Sequence, residues 1–217
     1  MNPSETPTQS ELDCLGDVPR STRSASDWVS FQLHREALER FVPRGSRVLE
    51  GNAGSGRYTE ILHQLGCKVN VLGESLEELE SSRARARELG YDGNVEGWAR
   101  GELTAIGMPD ASFDAVVAYG APLSYALERR DRALAECIRV LRPRGILALD
   151  VLSLWGTMHR HLPAILSQDL VQNRAVIRSG NAAAPVLGVG RHCHLFRAAE
   201  LEAFLRRGGL ELLSLSA

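Results

Sequence analysis

The sequence has little that points outside a reducing compartment. Its 217 residues include only four cysteines, Cys14, Cys67, Cys137 and Cys193. They lie far apart and form no CxxC pair, which argues against a disulfide framework and against a zinc site, so no metal is expected. The chain opens without an apolar run of the signal-peptide kind. Nor does any stretch approach the ~18 uninterrupted apolar residues of a membrane span. The best run, Ile146 to Trp155, is broken by Asp150. A cytoplasmic protein with no membrane partner is the expectation. The net charge of −2 supplies no general field for a polyanion, which disfavours nucleic acid as the partner. There is no internal repeat.

What the chain does have is 44% hydrophobic residues, enough at this length for one core and one domain. Residues 1–25 are rich in Ser, Thr, Pro and acids and are expected to form a disordered tail. The single domain then runs over 26–217, with a ligand-binding core at 45–152 and a lid and final helix–strand pair at 153–217. Trp28, Phe31, Leu33, Leu38 and Phe41 fit an amphipathic helix ending near Pro43.

Strand and helix signals alternate after that. Arg47 to Glu50, Lys68 to Leu72, Asn94 to Trp98, Phe113 to Tyr119 and Ile146 to Leu152 read as strands. Helices are expected from Tyr58 to Leu65, from Ser75 with the capping box Ser75–Glu78, and from Arg130 to Leu141. A helix around Met158 to Leu166, a loop over 179–190, a helix from Phe196 to Arg207 and a strand from Leu210 to Leu215 complete the reading. The pattern predicts an α/β fold, a Rossmann-like, doubly wound, mostly parallel sheet with helices on both faces. Such sheets bind ligands at the carboxyl ends of their strands.

The sharpest motif is Glu50-Gly51-Asn52-Ala53-Gly54-Ser55-Gly56, a glycine-rich turn between a strand and a helix. Small residues there let a ligand approach the backbone, and the amides opening the helix face it. The glycines do not give the GxGxxG of a dinucleotide site, which argues against a nicotinamide oxidoreductase. No lysine follows, so the turn is no P-loop.

The turn resembles the first motif of class I S-adenosylmethionine-dependent methyltransferases. Three later segments agree with that family in order and spacing: Arg100-Gly101-Glu102, Met108 to Val117, and Arg139-Val140-Leu141-Arg142-Pro143-Arg144-Gly145. The stretch Gly120 to Tyr125 is similar to a small-molecule branch. The resemblance implies S-adenosylmethionine as cofactor and a small-molecule acceptor methylated on O or N. It places Glu50, Gly51, Asn52, Gly54 and Gly56 beside the methionine part. It places Gly73 and Glu74 at the ribose, Glu102 and Leu103 at the adenine, and Tyr119 and Gly120 beneath the sulfonium.

Two positions depart from the family. Asn52 stands where the first glycine of the G-x-G-x-G run belongs, and Gly73 where an acid usually bonds the ribose. The family's final antiparallel strand also finds no residues after 215, which leaves a sheet edge open to a second copy or a partner chain. These departures keep a catalytically impaired pseudoenzyme or partner subunit as the alternative. Candidate catalytic groups are His192 and His194, in a segment expected to return toward the substrate, and Tyr125.

Overall fold

The computed structural model describes residues 25–52, 54, 56–167, 169–183 and 191–216, so most of the expected tail lies outside it. The chain divides into two compact units. One comprises Met1–Glu102, Gly107–Val117 and Val140–Ala148; the other comprises Leu103–Ile106, Ala118–Arg139 and Leu149–Ala217. This division interleaves along the chain and does not follow a single boundary near residue 152.

The first unit begins with helix α1 (Ala25–Phe41) and carries the sheet: β1 (Arg47–Gly51), β2 (Lys68–Gly73), β3 (Val95–Arg100), β4 (Phe113–Ala118) and β5 (Leu141–Leu149). The strand order is β3-β2-β1-β4-β5, so the order reverses between β1 and β4. β1 pairs in parallel with β2, and β2 with β3. Helices α2 (Arg57–Gln64) and α3 (Leu76–Glu88) follow β1 and β2. This is the expected Rossmann-like α/β fold. Val48, Leu49, Val69, Val71, Val116 and Val117 are buried, which is why these strands read as short apolar runs without alternation. At the opposite end of the strands from the glycine turn, Asp114 accepts the Arg47 amide at 2.8 Å and an ion pair from Arg142. The amide, then the guanidinium, hold its carboxyl below the usual carboxylate range.

The second unit contains α4 (Pro122–Ala126), α5 (Arg130–Val140), α6 (Leu154–Arg160), α7 (Leu162–Leu166) and α8 (Leu170–Ser179). It also holds the hairpin of β6 (Asn181–Ala182) with β7 (Cys193–His194), and α9 (Ala198–Arg207). Leu154, Ile165, Val176, Ala182, Cys193 and Leu195 form its buried cluster, with Tyr125, Leu152 and Met158 packed against it.

Several expectations are corrected. Residues 210–216 form no strand, because Leu213 and Leu215 stay exposed and no ladder takes up their backbone. β5 begins at Leu141 rather than Ile146; Pro143 and Gly145 look like a turn, but the strand runs through them with Arg144 at φ 66. The single helix expected around Met158 is two short ones, α6 and α7, and α8 was not anticipated. Of the loop expected at 179–190, Asn181–Ala182 pairs with β7, and residues 184–190 lie outside the described residues.

Candidate active site

Three neighbouring strands of the first unit bring their carboxyl ends side by side. Gly51 on β1 stands opposite Leu72 on β2, and Gly73 on β2 opposite Arg100 on β3. The Asn52 amide donates to Leu72 O at 2.9 Å and the Gly101 amide to Gly73 O at 3.0 Å, so the pairing continues just past both strands. Glu50, Gly73–Glu74 and Glu102 are thereby aligned along one rim. Glu50 is 2% exposed, and Thr59 Oγ1, from the first turn of α2, donates to its Oε2 at 2.5 Å. Glu74 is exposed, and its carboxylate makes no hydrogen bond or ion pair among the described residues. Glu102 is exposed and Leu103, which opens the second unit, is buried.

The glycine-rich turn is shaped by left-handed backbone. Asn52 (φ 62), Gly54 (φ 51) and Gly56 (φ 81) all take positive φ, so Asn52 adopts the conformation that a glycine would supply there. Gly56 is fixed by its neighbours as well. A Cβ on it would meet Ser82 Oγ at 2.3 Å, and Tyr91 donates its hydroxyl proton to Gly56 O at 3.3 Å. Burial, opposed by Arg85, pushes the Tyr91 phenol up to about 12, so it remains a donor across the ordinary pH range. Ala53 and Ser55 lie outside the described residues. At Gly73 a Cβ would meet Leu79 Cδ2 at 2.9 Å, so a side chain there requires Leu79 to shift, and Glu74 is the next residue along the chain.

The remaining expected residues lie in the second unit. Tyr119 and Gly120 follow β4. Gly120 (φ 91) and Ala121 (φ 57) make a left-handed pair whose Ala121 amide donates to Asp150 Oδ1 at 2.6 Å. Tyr125 sits on α4 under the Arg191 guanidinium, 4.2 Å from its ring centroid. Its phenol is raised above the ordinary value by burial, with the Cys193 thiol adding to the effect. His194 is 3% exposed and both ring nitrogens are occupied: Nδ1 lies 2.7 Å from Asn181 Oδ1 and Nε2 lies 2.6 Å from Glu200 Oε1. His194 thus clips the β6–β7 hairpin to the start of α9. His192 is exposed, and its ring makes no bond among the described residues.

A five-stranded sheet of order 3-2-1-4-5, with a glycine turn after its first strand and carboxylates along the rim, defines a Rossmann-like nucleotide-binding protein. The comparisons narrow this. Residues 49–149 match the profile of the methyltransferase domain. A ubiquinone/menaquinone biosynthesis C-methyltransferase of Psychromonas ingrahamii is 29% identical over 55% of this chain and 50% of its own length. A malonyl-[acyl-carrier protein] O-methyltransferase of Methylococcus capsulatus is 33% identical over 50% of this chain and 38% of its own length. The chain therefore spans about half or less of the curated relatives it matches. Among solved structures, the [4+2]-cyclase SpnF superposes with a TM-score of 0.65 at 22% identity, covering 88% of this chain and 61% of the other. The methyltransferase-domain match covers just under half of the chain; it supports a class I S-adenosylmethionine-dependent methyltransferase, and the fold agrees with one.

Four supporting residues were not anticipated: Thr59, Ser82 and Tyr91 in the first unit and Asp150 in the second. Thr59, Ser82 and Tyr91 hold the glycine turn, and their roles depend on contacts 9 to 35 residues away in sequence. Asp150 left a signal: a lone acid interrupting an apolar run at the carboxyl end of a strand, where such sheets place functional groups.

Proposed function

We propose that this chain binds S-adenosylmethionine at the rim of β1, β2 and β3 and transfers its methyl group to a small-molecule acceptor. The observation that carries this is the alignment of Glu50, Glu74 and Glu102 at three neighbouring strand ends beside a left-handed turn. The donor set suits the cofactor, which presents an ammonium, ribose hydroxyls and an adenine amine to acceptor oxygens. When bound, the cofactor supplies an electrophilic methyl carbon. Glu50, oriented by Thr59, would face the methionine end; Gly54 and Gly56 would let the backbone pass close. Glu74, in place of the family's acid at Gly73, would take the ribose hydroxyls; Glu102 would accept from the adenine amine, with Leu103 against the ring.

Methyl transfer is an in-line displacement, so alignment and exclusion of water matter more than acid–base chemistry. The Asp150–Ala121 bond supports this by fixing the turn that carries Tyr119 and Gly120. The acceptor atom is read as O or N. Where that atom carries a proton that must leave, a base is needed, and His192 is the group proposed to take it. His194 serves as a positioning residue, and Tyr125, kept protonated by burial, as a donor to the acceptor.

The second reading is a methyltransferase-like subunit without catalysis, favoured by Gly73, where a side chain requires Leu79 to shift. Calorimetric titration with S-adenosylmethionine and S-adenosylhomocysteine separates the two. Micromolar affinity is expected for the enzyme, and absence of heat up to millimolar ligand sinks it.

A further inference from the structure

Helices α6, α7 and α8 each bury apolar residues and expose others. Each sends a residue into the same buried cluster: Leu154 from α6, Ile165 from α7 and Val176 from α8. A hydrogen bond from Asn173 Nδ2 to Ile165 O, 2.8 Å, ties α8 to α7. That shared core fixes which residues look outward, and beside polar ones such as His159, Arg160 and Gln172 they include large apolar side chains that a solvated helix would bury. Trp155 is 62% exposed, Leu162 46%, Leu166 75%, and Leu170 and Val171 71% each. Leu162 and Leu166 are one turn apart on α7, so they share a side.

The charge of this region differs from that of the whole chain. From Leu154 to Arg197 the only acid is Asp169, against Arg160, Arg174, Arg178, Arg191 and Arg197, whereas the chain carries a net charge of −2. On α8, Val171, Arg174 and Arg178 fall at i, i+3 and i+7, on the side away from buried Asn173 and Val176. Exposed tryptophan and leucine interleaved with arginine are the features of a surface that settles into the headgroup layer of an anionic bilayer.

We propose that α6, α7 and α8 form a docking surface for an anionic lipid membrane, with Trp155, Leu162, Leu166, Leu170 and Val171 entering the interface and Arg174 and Arg178 meeting the headgroups. The expectation of no membrane partner rested on the lack of a spanning segment. Among the described residues no helix is long and apolar enough to cross a membrane, and an interfacial surface needs none. The proposal does not depend on methyl transfer.

The test is co-sedimentation of the full chain with phosphatidylcholine vesicles containing roughly 30% phosphatidylglycerol, alongside pure phosphatidylcholine vesicles. More than half the protein is expected in the pellet at about 1 mM lipid, with binding at least about tenfold weaker to the neutral vesicles. Leu166→Glu with Val171→Glu is expected to abolish binding while leaving the circular dichroism melt unchanged, as both sites are exposed. Arg174→Glu or Arg178→Glu singly is expected to weaken binding about fivefold or more. The Trp155 emission, taken as the difference from a Trp155→Phe variant, shifts to the blue on binding. No sedimentation with anionic vesicles overturns the proposal, and so does binding that survives the double substitution. A dimer at micromolar protein that Leu166→Glu dissolves, with no vesicle binding, assigns the surface instead to a second copy.

Discussion

In the first unit a buried polar group, Glu50, stands at a strand end beside a turn; in the second another, His194, bolts separate elements together. Glu50 is held by Thr59, nine residues away, within one strand–turn–helix unit. His194 is held by Asn181 from the preceding strand of its hairpin and by Glu200 from the helix that follows. A polar group that serves a local turn leaves a compact motif in the sequence. One that bridges elements leaves single residues with no mutual spacing rule. The glycine turn could therefore be read from its own spacing, whereas no spacing in the sequence marked Asn181 and Glu200 as the partners of His194.

The largest effect is expected at Gly56. Alanine there meets both the left-handed φ and Ser82 Oγ, and should cost about 2–4 kcal/mol in urea unfolding while weakening cofactor binding. Ser82→Ala alone should be near neutral, since Ser82 Oγ is buried without a hydrogen bond among the described residues. Combined with Gly56→Ala, it should recover about 1 kcal/mol of the loss. Additive behaviour of the pair would remove the steric explanation.

His194→Ala comes next. It strips two hydrogen bonds and a ring in edge contact with Phe196 at 4.6 Å, and should lower stability by about 2–4 kcal/mol. Affinity for S-adenosylhomocysteine, read at a temperature where the variant is folded, should stay within about twofold, because the clip does not serve the rim. A larger loss of affinity would mean that the two roles are not separate. Gly73→Asp should destabilise by about 1–3 kcal/mol through Leu79 and should not tighten cofactor binding. Improved affinity in that variant would show that Glu74 does not serve the ribose.

A pH effect is predicted at α1. His34 Nδ1 meets Tyr58 Oη at 2.7 Å, and burial, then Arg57, depress the imidazole to about 4. A depressed histidine binds fewer protons folded than unfolded between its folded value of about 4 and the ordinary 6.5. Its contribution is complete above about pH 6.5 and is lost as pH falls toward 4. Replacing His34 with Gln should flatten the stability–pH curve in that window, and an unchanged slope would remove this histidine as the cause. The smallest effect is expected for Tyr91→Phe, about 0.5–1.5 kcal/mol for the bond to Gly56 O.

Legibility followed the same division. Buried strands such as Ala115 to Ala118 are uniform apolar runs, Val69 to Leu72 is one but for Asn70, and the glycine turn sits where strand gives way to helix, so the fold was readable. The start of β5 was missed because proline and glycine ordinarily end elements, yet Arg144 takes a left-handed φ inside the strand. Helix α8 was missed because Leu170, Val171, Val176 and Ile177 do not keep to one side: the first two face out and Val176 faces in. That double-sided pattern hides a helix from periodicity, and it is the same feature on which the proposed membrane-docking surface rests.

The most direct test of the central claim is an amide NMR titration of the full chain with S-adenosylhomocysteine. The largest shifts are expected at Gly51, Asn52, Gly54, Gly56, Gly73, Glu74 and Glu102, at the three aligned strand ends. Shifts that spare these residues, or none at saturating ligand, would contradict it.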